Sequence, residues 1–120
     1  MKFIFFTFFI PSVLFSQSNT LQAILIVGDL QDGTVSAIQE MEEIHLYFKS
    51  KNVIVKTFYH PKTSWKDIIS ASKDASFFVY SGHGLKWKKN GKYGGLDLEK
   101  SISSEDITND LKLKSNAIII

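Results

Sequence analysis

Apolar runs and amphipathic stretches alternate along most of this chain. Residues 23–27 (Ala-Ile-Leu-Ile-Val) form a continuous apolar run that ends at Gly28-Asp29, which is typical of a strand covered on both faces. Between Ser36 and Lys49 apolar residues recur at helical spacing, and Ser36 with Gln39 predicts a capping box at the start of the helix. These patterns predict a central strand followed by a helix that packs on the sheet.

Two more strands and a second helix are predicted next. Residues 53–59 are rich in β-branched side chains and are followed by Pro61, so they predict a second strand that ends there. Ser64 is placed to cap a short helix. The apolar residues 76–79 then predict a third strand, which leads directly into residues 80–84.

The last third of the chain predicts smaller elements and a fourth strand. Asn90-Gly91 favours a tight hairpin turn, and Ser103 with Asp106 has the spacing of a helix cap flanked by two isoleucines. An apolar run begins at Ala117. This order predicts an α/β fold, a three-layer α/β/α sandwich around a mainly parallel sheet. Because that run is the last element, we expect residues 20–120 to be a domain truncated after its fourth strand.

Residues 1–17 differ from the rest of the chain. Lys2 precedes an apolar run over residues 3–15, and Ser16-Gln17-Ser18 supplies small residues for cleavage. This pattern predicts a secretory signal peptide. The alternative is an uncleaved anchor, although the run is short for a membrane span and is interrupted by Pro11. We therefore expect export to the periplasm or the exterior, with no stable membrane span once the signal is removed.

Composition narrows the classes of function. The 120 residues carry a net charge of +2, all 14 basic residues are lysines, and there is no cysteine. This balance lacks the concentrated positive charge of a nucleic-acid binder, so we expect no nucleic-acid partner. The absence of cysteine also means that no disulfide stabilises the predicted exported domain.

Neither a metal nor a cofactor is expected. His45 and His60 are far from His83 in sequence and lack the spacing of a zinc site, so we expect both to be surface or half-buried residues. The glycine spacing from Gly28 to Gly33 is that of a phosphate-binding loop, but the lysine of that motif is absent.

His83 lies between two glycines, directly after the third predicted strand. The carboxyl end of a strand is where α/β folds place their chemistry. Glycines there let the backbone turn sharply and approach a ligand, and an imidazole exchanges a proton near neutral pH. The alternative is a structural histidine in a strand-ending turn. Ser81 is a poor nucleophile, because Val79 occupies the place of the first glycine of a nucleophile elbow.

Residues 77–84 (Phe-Phe-Val-Tyr-Ser-Gly-His-Gly) resemble the histidine-bearing segment of the caspase-like cysteine peptidases, which include caspases, metacaspases, gingipains and CHAT-type domains. Residues 23–28 with the helix after them, and residues 52–59, resemble earlier parts of the same families. Residues 95–98 and 102–107 resemble the strand and short helix that follow the histidine. The resemblance covers nearly all of the chain beyond the predicted signal peptide.

The resemblance implies a catalytic role for His83, which would assist attack by a thiolate on a peptide carbonyl and then protonate the leaving amine. The backbone N–H of Gly84 would help to hold the oxyanion. The family's catalytic cysteine follows the strand matched here by residues 117–120, so it would lie beyond this chain. The implied protein is the N-terminal portion of an exported cysteine endopeptidase that acts on polypeptides. The alternative is a non-catalytic binding or scaffold module that lacks the nucleophile.

Substrate specificity is suggested by one acidic residue. The chain has no arginine, the residue with which caspases recognise aspartate. By resemblance to relatives that cut after arginine or lysine, Asp29 would contribute negative charge to a pocket for a basic side chain, with Asp32 as a weaker candidate. The alternative is that Asp29 only favours the start of the following loop or helix through the helix dipole.

Overall fold

The computed structural model, which describes residues 20–85, 88–89 and 92–120, has a four-stranded parallel sheet at its centre. The strand order is β2-β1-β3-β8, and every neighbouring pair is parallel. The predicted α/β fold with a mainly parallel sheet is thus confirmed. In chain order the elements are β1 (Gln22–Val27), α1 (Thr34–Ser50), β2 (Ile54–Tyr59), α2 (Trp65–Ser72), β3 (Phe77–Ser81), β4 (Lys88–Lys89), β5 (Lys92–Tyr93), β6 (Gly95–Asp97), β7 (Ser101–Ser103), α3 (Ser104–Asp110) and β8 (Ile118–Ile119).

Helices cover both faces of β1, which explains its continuous apolar sequence. Side chains of successive strand residues point to opposite faces, so β1 contributes to two separate clusters. One cluster joins β1 to α1 through Ala23, Leu25, Val27, Ala37 and Met41. The other joins β1 to α2 and β3 through Ile24, Ile26, Trp65, Ile68 and Phe78.

The path of the chain reverses the order of the strands within the sheet. From β1 it passes through α1 to β2 on one side, and then through α2 to β3 on the other side of β1. Ligands of such sheets bind where the order reverses, outside the carboxyl ends of the two diverging strands. Here that point lies between β1 and β3, whose last residues Val27 and Ser81 are register partners.

The predicted start of α1 is wrong. The helix begins at Thr34 rather than Ser36, its N-cap is Gly33, and no side chain caps it. The Ser36–Gln39 pair therefore lies inside the helix and forms no capping box. The preceding turn explains the earlier start, because Thr34 Oγ1 accepts a hydrogen bond from the Leu30 N–H at 2.8 Å and closes that turn.

The caps predicted for the two later helices are confirmed. Ser64 Oγ accepts a hydrogen bond from the Asp67 N–H at 3.4 Å and begins α2. At α3, Ser103 Oγ accepts from the Asp106 N–H at 3.1 Å, and the Asp106 carboxylate accepts from the Ser103 N–H at 3.0 Å. This reciprocal pair is a capping box, which fixes where the chain turns from β7 into α3.

Two short antiparallel hairpins follow β3. Pairing of β4 with β5 confirms the predicted hairpin, although Asn90-Gly91 lies outside the described residues. Pairing of β6 with β7 was not predicted. The predicted signal peptide, residues 1–17, also lies outside the described residues.

Candidate functional site

The candidate site lies at the carboxyl edge of the sheet, where three loops leave neighbouring strands. The Gly28 N–H donates to the Ser81 carbonyl at 2.9 Å, and the His60 N–H donates to the Val27 carbonyl at 2.8 Å. These bonds hold the strand ends level with one another. The three loops therefore leave the sheet along one edge. This edge holds the three predicted site residues, Asp29, His83 and Gly84, and also His60.

The loop after β3 is held against β6. The Asp97 N–H donates to the His83 carbonyl at 3.1 Å, and the Leu85 N–H donates to the Gly95 carbonyl at 3.2 Å. Gly84 lies between these two bonds and forms an antiparallel bridge with Leu96. In a pair of this kind the N–H and C=O of the middle residue point away from the partner strand. The Gly84 N–H therefore points away from β6, while His83 presents an exposed side chain.

Tyr80 packs beneath this loop. Its hydroxyl donates to the His83 carbonyl at 2.6 Å and accepts from the Asp97 N–H at 3.3 Å. Burial raises the pKa of Tyr80 above its ordinary value, so the hydroxyl keeps its proton across the neutral range. Sequence analysis did not find this role, because it places Tyr80 directly after the third predicted strand and assigns it no contact.

The glycines next to Tyr80 make room for its ring. A Cβ on Gly82 would collide with the Tyr80 hydroxyl and lie 2.6 Å from Cζ, and one on Gly28 would lie 3.2 Å from the hydroxyl oxygen. Among the glycines in the described ranges, only Gly94 and Gly95 have positive φ. The expected bend after β3 is present at Gly82, but neither Gly82 nor Gly84 has the positive φ that would itself require glycine.

Asp29 has two contacts, one for each carboxylate oxygen. Oδ1 accepts a hydrogen bond from the Gln31 N–H at 2.8 Å, and Oδ2 lies 3.9 Å from His60 Nε2. The first contact stabilises the turn into α1, which agrees with the alternative that Asp29 favours the start of the following loop or helix. The second leaves a half-exposed oxygen at the candidate site. Asp32 is exposed in the 3₁₀ turn Gln31–Gly33.

His60 is half-buried, and its pairing with Asp29 was missed. The position of His60 at the end of β2 could have indicated this pairing, since parallel strands bring their carboxyl ends to one edge.

The remaining histidine, His45, lies on α1 and contacts Glu42 at 3.3 Å. Within the described part of the chain, no three His, Cys, Asp or Glu side chains cluster closely enough to hold a metal ion.

These groups have a defined chemical capacity. An exposed imidazole transfers protons, and an adjacent N–H that points away from the sheet donates a hydrogen bond to a developing negative charge. A thiol nucleophile is not among the 120 residues.

Among residues 20–85, 88–89 and 92–120, no helix is both long and apolar enough to cross a membrane. Comparisons of the chain with protein-family models, with curated proteins and with solved structures found no match.

Proposed function

We propose that these residues are the histidine-bearing N-terminal part of an exported, caspase-like cysteine endopeptidase. The observation that carries the proposal is the position of His83 and Gly84. An exposed imidazole and a backbone N–H directed away from β6 come from consecutive residues at the switch point of a parallel sheet. The resemblance of residues 77–84 to the histidine segment of these peptidases supports the same assignment.

In the proposed reaction His83 takes the proton of a cysteine thiol, and the thiolate attacks the peptide carbonyl carbon. The Gly84 N–H stabilises the oxyanion that forms. His83 then gives its proton to the leaving amine as the C–N bond breaks, and water releases the acyl group from sulfur. General acid–base catalysis of this kind contributes roughly 10²- to 10⁴-fold in rate.

The sheet offers a position for the missing nucleophile. β8 is the parallel neighbour of β3, with Phe77 opposite Ile118, and the Tyr80 N–H donates to the Ile120 carbonyl at 3.0 Å. A residue that follows Ile120 would therefore emerge at the same edge as His83, beside the loop that carries it.

The test uses the protein expressed from its own gene, read through and beyond the codon for Ile120. We expect an in-frame cysteine within the next several codons and hydrolysis of internally quenched peptides that iodoacetamide abolishes. His83→Ala should lower kcat at least about 100-fold. Because His83 is exposed, this variant should keep its far-ultraviolet circular dichroism and its urea midpoint. His45→Ala is the matched control and should retain activity.

Retained hydrolysis in the His83→Ala variant would refute the role of His83. A stop codon directly after Ile120, or full-length protein without thiol-dependent hydrolysis, would refute the peptidase and favour the non-catalytic binding module. The same expression experiment therefore tests both the role of His83 and the peptidase activity itself.

Asp29 is proposed to recognise basic side chains at the cleavage site through its half-exposed carboxylate. Asp29→Asn removes the charge and retains an acceptor oxygen for the Gln31 N–H, so the turn is preserved. We expect cleavage after lysine and arginine to fall about tenfold or more, with little change for uncharged residues. Glu43→Gln, at an exposed residue of α1, is the control and should behave as wild type, and unchanged selectivity in Asp29→Asn would remove the assignment.

A further inference from the structure

One hydroxyl group connects three segments of the candidate site. Tyr80 Oη donates to the His83 carbonyl and accepts from the Asp97 N–H. It also lies close to Gly28 and Gly82, neither of which has a side chain to displace it. The end of β1, the loop after β3 and strand β6 therefore meet around this group.

The carbonyl that Tyr80 binds belongs to a particular peptide group. The His83 C=O and the Gly84 N–H are the two ends of one peptide unit, which is planar and, in the trans form, directs them to opposite sides. Two donors hold this carbonyl oxygen, the Tyr80 hydroxyl at 2.6 Å and the Asp97 N–H at 3.1 Å. Anchoring the carbonyl in this way fixes the direction of the N–H at the other end.

Hydrogen bonds that the His83 carbonyl accepts also make the Gly84 N–H of the same peptide unit a stronger donor, because linked hydrogen bonds polarise one another. A phenylalanine at residue 80 would keep the ring packing and leave the His83 carbonyl with the Asp97 N–H alone. The effect of the hydroxyl is therefore separable from the effect of the ring.

We propose that Tyr80 is a positioning residue, whose hydroxyl orients and polarises the peptide group between His83 and Gly84 so that the Gly84 N–H is aimed at the reacting carbonyl. The catalytic part of this inference rests on the proposed peptidase function. Tyr80 does not touch the substrate and acts only through the peptide group that it holds.

The experiment compares Tyr80→Phe with wild type in the full-length protein expressed from its own gene. We expect kcat to fall roughly tenfold, less than the loss for removing an oxyanion donor outright, while KM and the pH dependence of kcat stay unchanged. A peptide aldehyde, which forms an oxyanion-like adduct, should bind about tenfold more weakly. Tyr47→Phe, at an exposed tyrosine on α1, is the matched control and should leave all three quantities unchanged.

A second measurement does not depend on catalysis. In ¹⁵N-labelled protein, Tyr80→Phe should shift the Gly84 amide resonance upfield and speed hydrogen exchange at the Asp97 amide. An unmoved Gly84 resonance, or a wild-type kcat, would overturn the inference. If the wild type hydrolyses no peptide while Gly84 and Asp97 respond as expected, then the peptidase proposal and the catalytic role fail, and the orientation of the peptide group by Tyr80 stands.

Discussion

Gly82→Ala provides a severe test of the packing at the candidate site. The added Cβ would collide with the Tyr80 hydroxyl and lie 2.6 Å from Cζ and 3.0 Å from Cε1. These atoms belong to a half-buried ring that is fixed by the His83 carbonyl, so they cannot swing freely into solvent. Overpacking of this kind costs about 1–3 kcal/mol, and we expect the upper half of that range because the hydrogen bond must also break.

Gly33→Ala is the matched control, since it adds the same methyl group at another glycine. There the nearest heavy atom to the new Cβ is Leu30 Cβ at 3.6 Å, and φ is −83°. Alanine fits this backbone without strain, so the variant should be unchanged or more stable by about 0.4–1 kcal/mol. Gly82→Ala is thus expected to lower the free energy of unfolding, whereas Gly33→Ala is not.

Urea unfolding, monitored by circular dichroism, measures the free energy of unfolding of both variants. The variants are compared with a common value for the dependence of this free energy on urea concentration. A double-mutant cycle with Tyr80→Leu is the decisive experiment. Without the aromatic ring, the methyl group that Gly82→Ala adds no longer collides with residue 80. We expect the double variant to be more stable than the sum of the two single losses by at least about 1 kcal/mol. Additive losses, or a Gly82→Ala protein as stable as wild type, would refute the packing argument.

Three further outcomes are expected. Ser103→Ala removes the buried cap of α3 and should cost about 1–2 kcal/mol by urea unfolding, with Asp106→Asn milder because an amide oxygen still accepts from the Ser103 N–H. Burial and the hydrogen bond to Glu42 raise the pKa of Tyr59 above its ordinary value of 10.0. That raised pKa contributes stability that is fully present below pH 10 and is lost as the pH rises above it, so Tyr59→Phe should abolish this alkaline loss in urea unfolding compared on the two sides of pH 10. Ile68→Ala opens a cavity at a fully buried position of α2 and should lower stability by about 2–5 kcal/mol in the same assay.

The main elements of the sheet and two helix caps were predictable because each depends on neighbours in sequence. Residues 23–27 are apolar without interruption, which only burial on both faces explains. Ser64 and Ser103 bond to groups three residues away, so their signal is local. His83 was found for a related reason, since its position after an apolar strand specifies an edge of the sheet.

The features that were missed depend on contacts between distant segments. A strand at residues 95–98 was expected only from the resemblance, and the pairing of β6 with β7 and with Gly84 was not predicted, because a three-residue strand leaves no periodic signal. The approach of His60 to Asp29 requires knowing that β2 and β1 are adjacent and parallel. The start of α1 was misplaced for a different, local reason, because Thr34 Oγ1 accepts a hydrogen bond from the Leu30 N–H and closes the preceding turn.

The two glycines beside Tyr80, Gly28 and Gly82, have a packing role that sequence analysis did not predict. Glycine in a strand-ending loop is ordinarily interpreted as conformational freedom, yet among the glycines in the described ranges only Gly94 and Gly95 have positive φ. Gly28 and Gly82 instead leave space for an aromatic ring, whose hydroxyl holds the His83 carbonyl. Changing either glycine should therefore disturb the direction of the Gly84 N–H, although neither supplies that group. Residues 80–84 are better understood as one packed unit, in which Tyr80 and the glycines determine where His83 and Gly84 are presented.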